Sequence, residues 1–221
     1  MYFSKYTNNL NSSLKGANEE IIQEFLKVLK FLIENEGTLI LCGNGGSFAN
    51  SLHIAGDYHK TFAHNTASFH SVGENFCSLS AIANDFCFEE AISIHLSSLI
   101  KKKVPTAVVF LSGSGNSVNL INAAKLMNRK ASNVDYLKTL SVTAYGGGAI
   151  SKLVNLALKF EINDMEIAED IQLIIFHYLK QQLIKIFPIN EENYSKYNKS
   201  CLLYTSPSPR DSSPSRMPSS A

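Results

Sequence analysis

The chain has 221 residues, 45% of them hydrophobic and 18% charged. Twenty Lys and Arg stand against nineteen Asp and Glu, a formal charge of +1. That balance excludes a nucleic-acid binder held by bulk charge and an acidic solvating tail. No run approaches the roughly 18 consecutive apolar residues of a membrane span, so neither nucleic acid nor membrane is expected as a partner.

The N-terminus is polar and shows no apolar h-region, so no secretory signal is expected. Cys42, Cys77, Cys87 and Cys201 form no Cys-x-x-Cys and no metal-finger spacing, which suits a reduced, cytoplasmic protein. Residues 201–221 differ sharply from the rest, with four of the six Pro and seven Ser. Back-translated, Cys-Leu-Leu-Tyr-Thr-Ser resembles a sequencing-library adapter. We therefore expect 201–221 to be translated adapter and exclude it from the fold. The remaining organisation is an N-terminal extension over 1–16, one domain over 17–190 and a C-terminal end over 191–200.

Apolar residues at helical spacing (Ile21, Ile22, Phe25, Leu29, Leu32, Ile33) predict a helix over 17–36, stopped by Gly37. Thr38–Cys42 reads as a buried strand that enters the turn Gly43-Asn-Gly-Gly-Ser47 and a helix over 48–58. Ala67–Val72 is the second expected strand. Helices are expected over 77–83 and 89–100, around the loop Asn84-Asp85-Phe86. Thr106–Leu111 is a strand, followed by Ser112-Gly-Ser-Gly-Asn-Ser117 and a helix to about Arg129. Leu137–Ala144 and Leu156–Phe160 are the last strands. Asn163-Asp-Met-Glu166 resembles a capping box that opens a long helix ended by Pro188. Strands alternating with helices predict an α/β fold with a parallel sheet covered on both faces. Ligands of such sheets bind at the carboxyl ends of the strands, so both glycine turns face one rim.

The two turns can take an anion. Glycines let backbone approach a ligand, and N–H groups at a helix start attract negative charge. Ser47, Ser112, Ser114 and Ser117 add hydroxyls, so a phosphate could be held without Lys or Arg. Neither turn is a P-loop, and Phe48 replaces the third glycine of the dinucleotide fingerprint. A tight connection remains the plain alternative for each turn. His53 and Asp57 share a helix face at about 6 Å, which suits a metal, an acid and base, or an ordinary surface pair. Glu169 and His177 are eight residues apart, about 12 Å of rise and about 80° of rotation, which is a strain for two ligands of one ion. On spacing alone, Glu169 and Asp170 are first-turn acids and His177 is a core residue. His59, His64, His70 and His95 have no partner pattern and read as structural.

Cys42-Gly-Asn-Gly-Gly-Ser47, Ala83-Asn84-Asp85, Ser112-Gly-Ser-Gly-Asn-Ser117 and a late helix carrying His177 occur in order. Together they resemble the SIS (sugar isomerase) domain of the phosphoheptose isomerase type, from residue 17 to about 187. The resemblance implies a flavodoxin-like three-layer sandwich with a five-stranded parallel sheet. It implies a homotetramer with active sites between subunits, and a zinc ion in the site. The implied activity converts sedoheptulose 7-phosphate to D-glycero-D-manno-heptose 7-phosphate, for lipopolysaccharide or capsule. Carried over residue by residue, Asn44, Gly45, Gly46 and Ser47 match the first substrate loop. Ser112, Ser114 and Ser117 match phosphate-binding serines, with Gly113 in place of a Thr. Asn84 and Asp85 match a substrate-contacting pair. His53 matches a metal ligand, and His177 a metal-binding, proton-transferring histidine. Asp57 stands where the family has a catalytic, metal-binding Glu, and Glu169 where it has a Gln ligand. The expected metal set is then His53, Asp57, Glu169 and His177, with Glu169 also on the substrate and His177 and Asp57 as the proton-transfer pair. Two rivals remain: a non-catalytic sugar-phosphate-binding or regulatory SIS protein, and an isomerase for another surface-polysaccharide sugar phosphate.

Overall fold

A computed structural model describes residues 2–62 and 65–188. Met1–Ile186 forms one compact unit, and Phe187–Ala221 a second, of which only Phe187 and Pro188 are described. The expectations for 191–200, for 201–221 and for His64 fall outside the described residues.

Five strands form one sheet: β1 (Thr38–Cys42), β2 (Ser68–Ser71), β3 (Thr106–Ser112), β4 (Leu137–Thr143) and β5 (Leu156–Lys159). Their order is β2-β1-β3-β4-β5 and every pairing is parallel. Parallel strands bury both faces, which is why β1 and β3 read as continuous apolar runs rather than alternating ones. Every residue of β3 is buried. Along it, side chains alternate between faces. Ile40, Cys42, Val108 and Phe110 join one core with Ile92, Leu96, Leu120, Ala123 and Met127. Those last five come from α5 (Phe88–Leu99) and α6 (Val118–Lys130). The opposite face meets α2 (Glu19–Glu34), α3 (Gly45–Phe62) and α7 (Met165–Ile186). The sheet is thus sandwiched between two helical layers, as the alternation predicts.

The chain runs from β1 outward to β2, then returns across β1 to β3. That reversal is the topological switch point where α/β sheets bind ligands. The two glycine turns leave β1 and β3, the strands on either side of it.

Three local differences from the sequence reading have simple causes. An unexpected helix, α1 (Phe3–Lys15), precedes α2. It buries no residue fully, and its many Asn and Ser are poor helix formers, yet Phe3, Tyr6, Leu10 and Leu14 recur at helical spacing, a signal the sequence reading passed over. Its half-buried face packs on α7, where the Tyr6 hydroxyl donates to Asp170 Oδ2 at 2.7 Å. The cap of α7 is Asp164, whose carboxylate accepts from Ile167 N at 3.1 Å; the capping box read at Asn163 and Glu166 is one residue out of register. Finally, α4 (Phe76–Asp85) extends through Asn84 and Asp85, which were expected in a loop.

Candidate active site

Helices α3 and α7 build the site between them. Their contacts advance together: Ser47 meets Gln172, His53 meets His177, and Asp57 meets Lys180. The helices therefore run in the same direction, side by side. A buried polar chain fixes their register. Gln172 Nε2 donates to Ser47 Oγ at 3.0 Å, and Asn50 Nδ2 donates to Gln172 Oε1 at 3.0 Å and to the Glu169 carbonyl at 2.9 Å. Farther along, the buried Tyr58 hydroxyl donates to the Phe176 carbonyl at 2.8 Å. Buried polar groups are costly unless satisfied, so this seam tolerates one register.

At its N-terminal end the seam opens into a cavity of about 130 Å³. Asn44, Ser47, Ser112, Gly113, Ser114, Ser117, Met165 and Glu169 line it, with Leu111. Ser47 and Ser112 are buried there. Ser117 is the N-cap of α6 but makes no capping hydrogen bond with its side chain. Backbone N–H groups at the starts of α3 and α6 add donors to the same rim. Gly46 is required for close approach, because a Cβ there would collide with the Glu169 carboxylate. Asn44 and Asn119 exchange amide hydrogen bonds, both at 2.9 Å, tying the first turn to α6. The second serine turn is braced from behind. Gly115 takes φ +67° against the backbone of Gly147 and Gly148, and Ile150 N donates to its carbonyl at 3.0 Å.

Two turns further along the seam, three potential metal-binding side chains converge. The ligand atoms of His53, Asp57 and His177 all lie within 4.8 Å of one another. His53 Nε2 and His177 Nε2 are 3.1 Å apart, with the rings edge to face. Asp57 Oδ2 lies 3.7 Å from His177 Nε2 and 4.0 Å from His53 Nε2. Lys180 Nζ donates to the same Asp57 oxygen. Burial pushes the Asp57 carboxyl up, but the Lys180 ammonium and both imidazoles outweigh it and hold the group below its ordinary value. Burial, then Lys180 and His53, hold His177 below the ordinary histidine value, against the pull of Asp57. At neutral pH the cluster is thus an ionised carboxylate beside a neutral imidazole.

The structure brings His53, Asp57 and His177 together but leaves Glu169 out of that group. Glu169 faces the serine cavity instead, as its rotation of about 80° from His177 along α7 dictates. Of the four residues expected to share an ion, three therefore stand together among the described residues, and Glu169 stands with the residues lining the serine cavity. His177 is half-exposed rather than a core residue. Gly45 begins α3 at φ +56°. Asn84 and Asp85 are exposed at the end of α4, bonded to each other, and are not among the residues lining the cavity. Of the histidines read as structural, His70 bonds Glu74 at 3.0 Å and His95 is buried. The reading missed Asn50, Gln172, Asn119 and Lys180. Only Lys180 left a trace, three residues after His177 and so on its helix face.

No family model matches the chain. A phosphoheptose isomerase of Helicobacter pylori (strain ATCC 700392 / 26695) is 28% identical over 180 residues, spanning 80% of this chain and 89% of that protein. One from Glaesserella parasuis serovar 5 (strain SH0165) is 29% identical over 64% of this chain and 71% of its own length. Among solved structures, a phosphoheptose isomerase from Neisseria gonorrhoeae superposes with a TM-score of 0.71 at 21% identity, covering 83% of this chain and 95% of that one. The chain has an α/β fold with a five-stranded parallel sheet, and it is similar in sequence and fold to phosphoheptose isomerases. No helix among the described residues is long and apolar enough to cross a membrane.

Proposed function

We propose that the chain is a sugar-phosphate aldose–ketose isomerase that converts sedoheptulose 7-phosphate to D-glycero-D-manno-heptose 7-phosphate, supplying heptose for lipopolysaccharide or capsule. It acts in the cytoplasm as a homotetramer. The observation that carries the reading is the placement of an anion-sized serine cavity and a His–Asp–His cluster on one α3–α7 seam. Six residues of α3 separate Ser47 from His53, a rise of about 9 Å. That span suits an extended heptose with its phosphate in the cavity and its C1–C2 end at the cluster.

The phosphate is held by the hydroxyls of Ser47, Ser112, Ser114 and Ser117 and by N–H groups at the helix starts. Asn44 and Glu169 meet the sugar hydroxyls nearby. Isomerisation moves a proton between C1 and C2 and needs a base, an acid and a stabilised oxyanion. Asp57, ionised at neutral pH, takes the proton, and His177 serves as its counterpart at the neighbouring oxygen. Asp57 is one methylene shorter than a Glu, so its reach depends on the seam register that Tyr58 and Gln172 fix.

Two imidazole nitrogens and one carboxylate oxygen at this mutual spacing are a donor set that suits zinc. His53, Asp57 and His177 would hold it. When bound, a divalent ion supplies polarisation of the sugar oxygens.

The test is turnover of sedoheptulose 7-phosphate by the zinc-supplied full chain, with product identified by mass and chromatography. His177→Ala should lose at least about 100-fold in kcat. Undiminished activity in that variant sinks the mechanism. Turnover of a different ketose phosphate alone sinks the substrate.

A further inference from the structure

Lys180 is a cation bonded into the cluster, and its position is informative. Its side chain is 18% exposed, so its ammonium is not an ordinary solvated surface charge. It is bonded to Asp57 Oδ2, the same oxygen that faces both His53 and His177. That oxygen is therefore the shared corner of two arrangements. In one it accepts from an ammonium. In the other it faces a divalent ion together with two imidazole nitrogens.

The two arrangements oppose each other. A metal ion at the centre of the cluster would lie next to a like charge in a partly desolvated setting, where repulsion is weakly screened. It would also need the carboxylate lone pairs that the ammonium now engages through a charge-assisted hydrogen bond. Metal binding is thus weakened while Lys180 stays on Asp57 and favoured when it swings away. We propose that Lys180 is a tethered cation that competes with divalent metal for Asp57, and so sets the metal affinity of the His53–Asp57–His177 cluster. This rests on the proposed function only in taking that cluster to be a metal site.

Competition makes an unusual prediction of sign. A residue that merely supports a metal site weakens binding when lost, commonly by about 10–100-fold. Loss of Lys180 should do the opposite. Zinc affinity is measured on the full chain, without sugar, by competition with a chromophoric chelator. Lys180→Met keeps the apolar stem and removes the charge, and should tighten zinc binding by about tenfold or more. Lys180→Gln does the same should Lys180→Met fold poorly, and Lys180→Arg, which keeps the cation, should stay near the parent. In an Asp57→Asn background the carboxylate charge that both cations compete for is lost, and adding Lys180→Met should then tighten zinc binding by less than it does in the parent. Equal or weaker binding by the charge-removing variants overturns the proposal, as does an absence of zinc binding throughout. Tighter binding in a chain that turns over no sedoheptulose 7-phosphate would refute the functional reading alone. Turnover together with an unchanged affinity in Lys180→Met would refute this inference alone.

Discussion

The serine cavity and the histidine cluster share α3 and α7, yet they are made in opposite ways. The cavity is built from turns, whose small residues are contiguous in sequence: Asn44 to Ser47 and Ser112 to Ser117. Its lining carries one charged side chain, the acidic Glu169. The cluster is built from helix faces, by residues more than a hundred positions apart, and it concentrates charge around one carboxylate oxygen. The first owes its shape to backbone geometry. The second depends on two helices keeping step. Damage should therefore spread differently: locally and through ligand affinity in the cavity, through register in the cluster.

Of three changes that probe this difference, the largest effect should come from Gly46→Ala. The new methyl collides with the Glu169 carboxylate, the mobile end of a side chain, so the fold survives while Glu169 leaves the cavity. We expect KM for the sugar phosphate to rise about tenfold, about 1.4 kcal/mol, with zinc affinity unchanged. A parallel loss of zinc affinity would break the separation of the two regions. Next is Tyr58→Phe, which removes the buried hydrogen bond to the Phe176 carbonyl. Stability in denaturant should fall by about 1 kcal/mol. An unchanged midpoint would show that packing alone sets the register beside His177. The smallest effect should come from Tyr6→Phe. The hydrogen bond to Asp170 is the foremost reason the Tyr6 phenol is pushed up to about 12. A raised folded-state value stabilises the fold below the unfolded value near 10, and that contribution disappears as pH rises through about 12. Tyr6 is half-buried at the surface and still partly screened by solvent, so the loss at neutral pH should be under about 1 kcal/mol. The variant's stability should fall less steeply than the parent's between pH 10 and 12, and identical profiles would show that α1 is not anchored there.

The contrast also explains what the sequence disclosed. β1 and β3 were legible because buried parallel strands are unbroken apolar runs, and the rim was legible because a glycine turn follows each. His53 and Asp57 were legible as a pair because i and i+4 share a helix face. The failure of Glu169 to join His177 was legible too, in the angle that eight residues turn through. Lys180 was not, because a lysine on a half-exposed helix face looks like any solvated charge until its partner from α3 is in place. Nor were Asn50, Gln172 and Asn119: a buried amide announces itself only through the group it satisfies. Asn84 and Asp85 show the converse. They are conspicuous in sequence and carry the family resemblance, yet lie exposed at the end of α4, which buries none of its residues.

The reciprocal amides of Asn44 and Asn119 bear on how this rim could be altered. Each side chain supplies both a donor and an acceptor to the other, so neither is replaceable by a residue that can only give or only receive. The turn after β1 and the start of α6 are thereby stitched into a single rigid lip. Reshaping the pocket for a shorter or bulkier sugar would mean recutting both edges of that lip at once, as a pair of compensating changes rather than one.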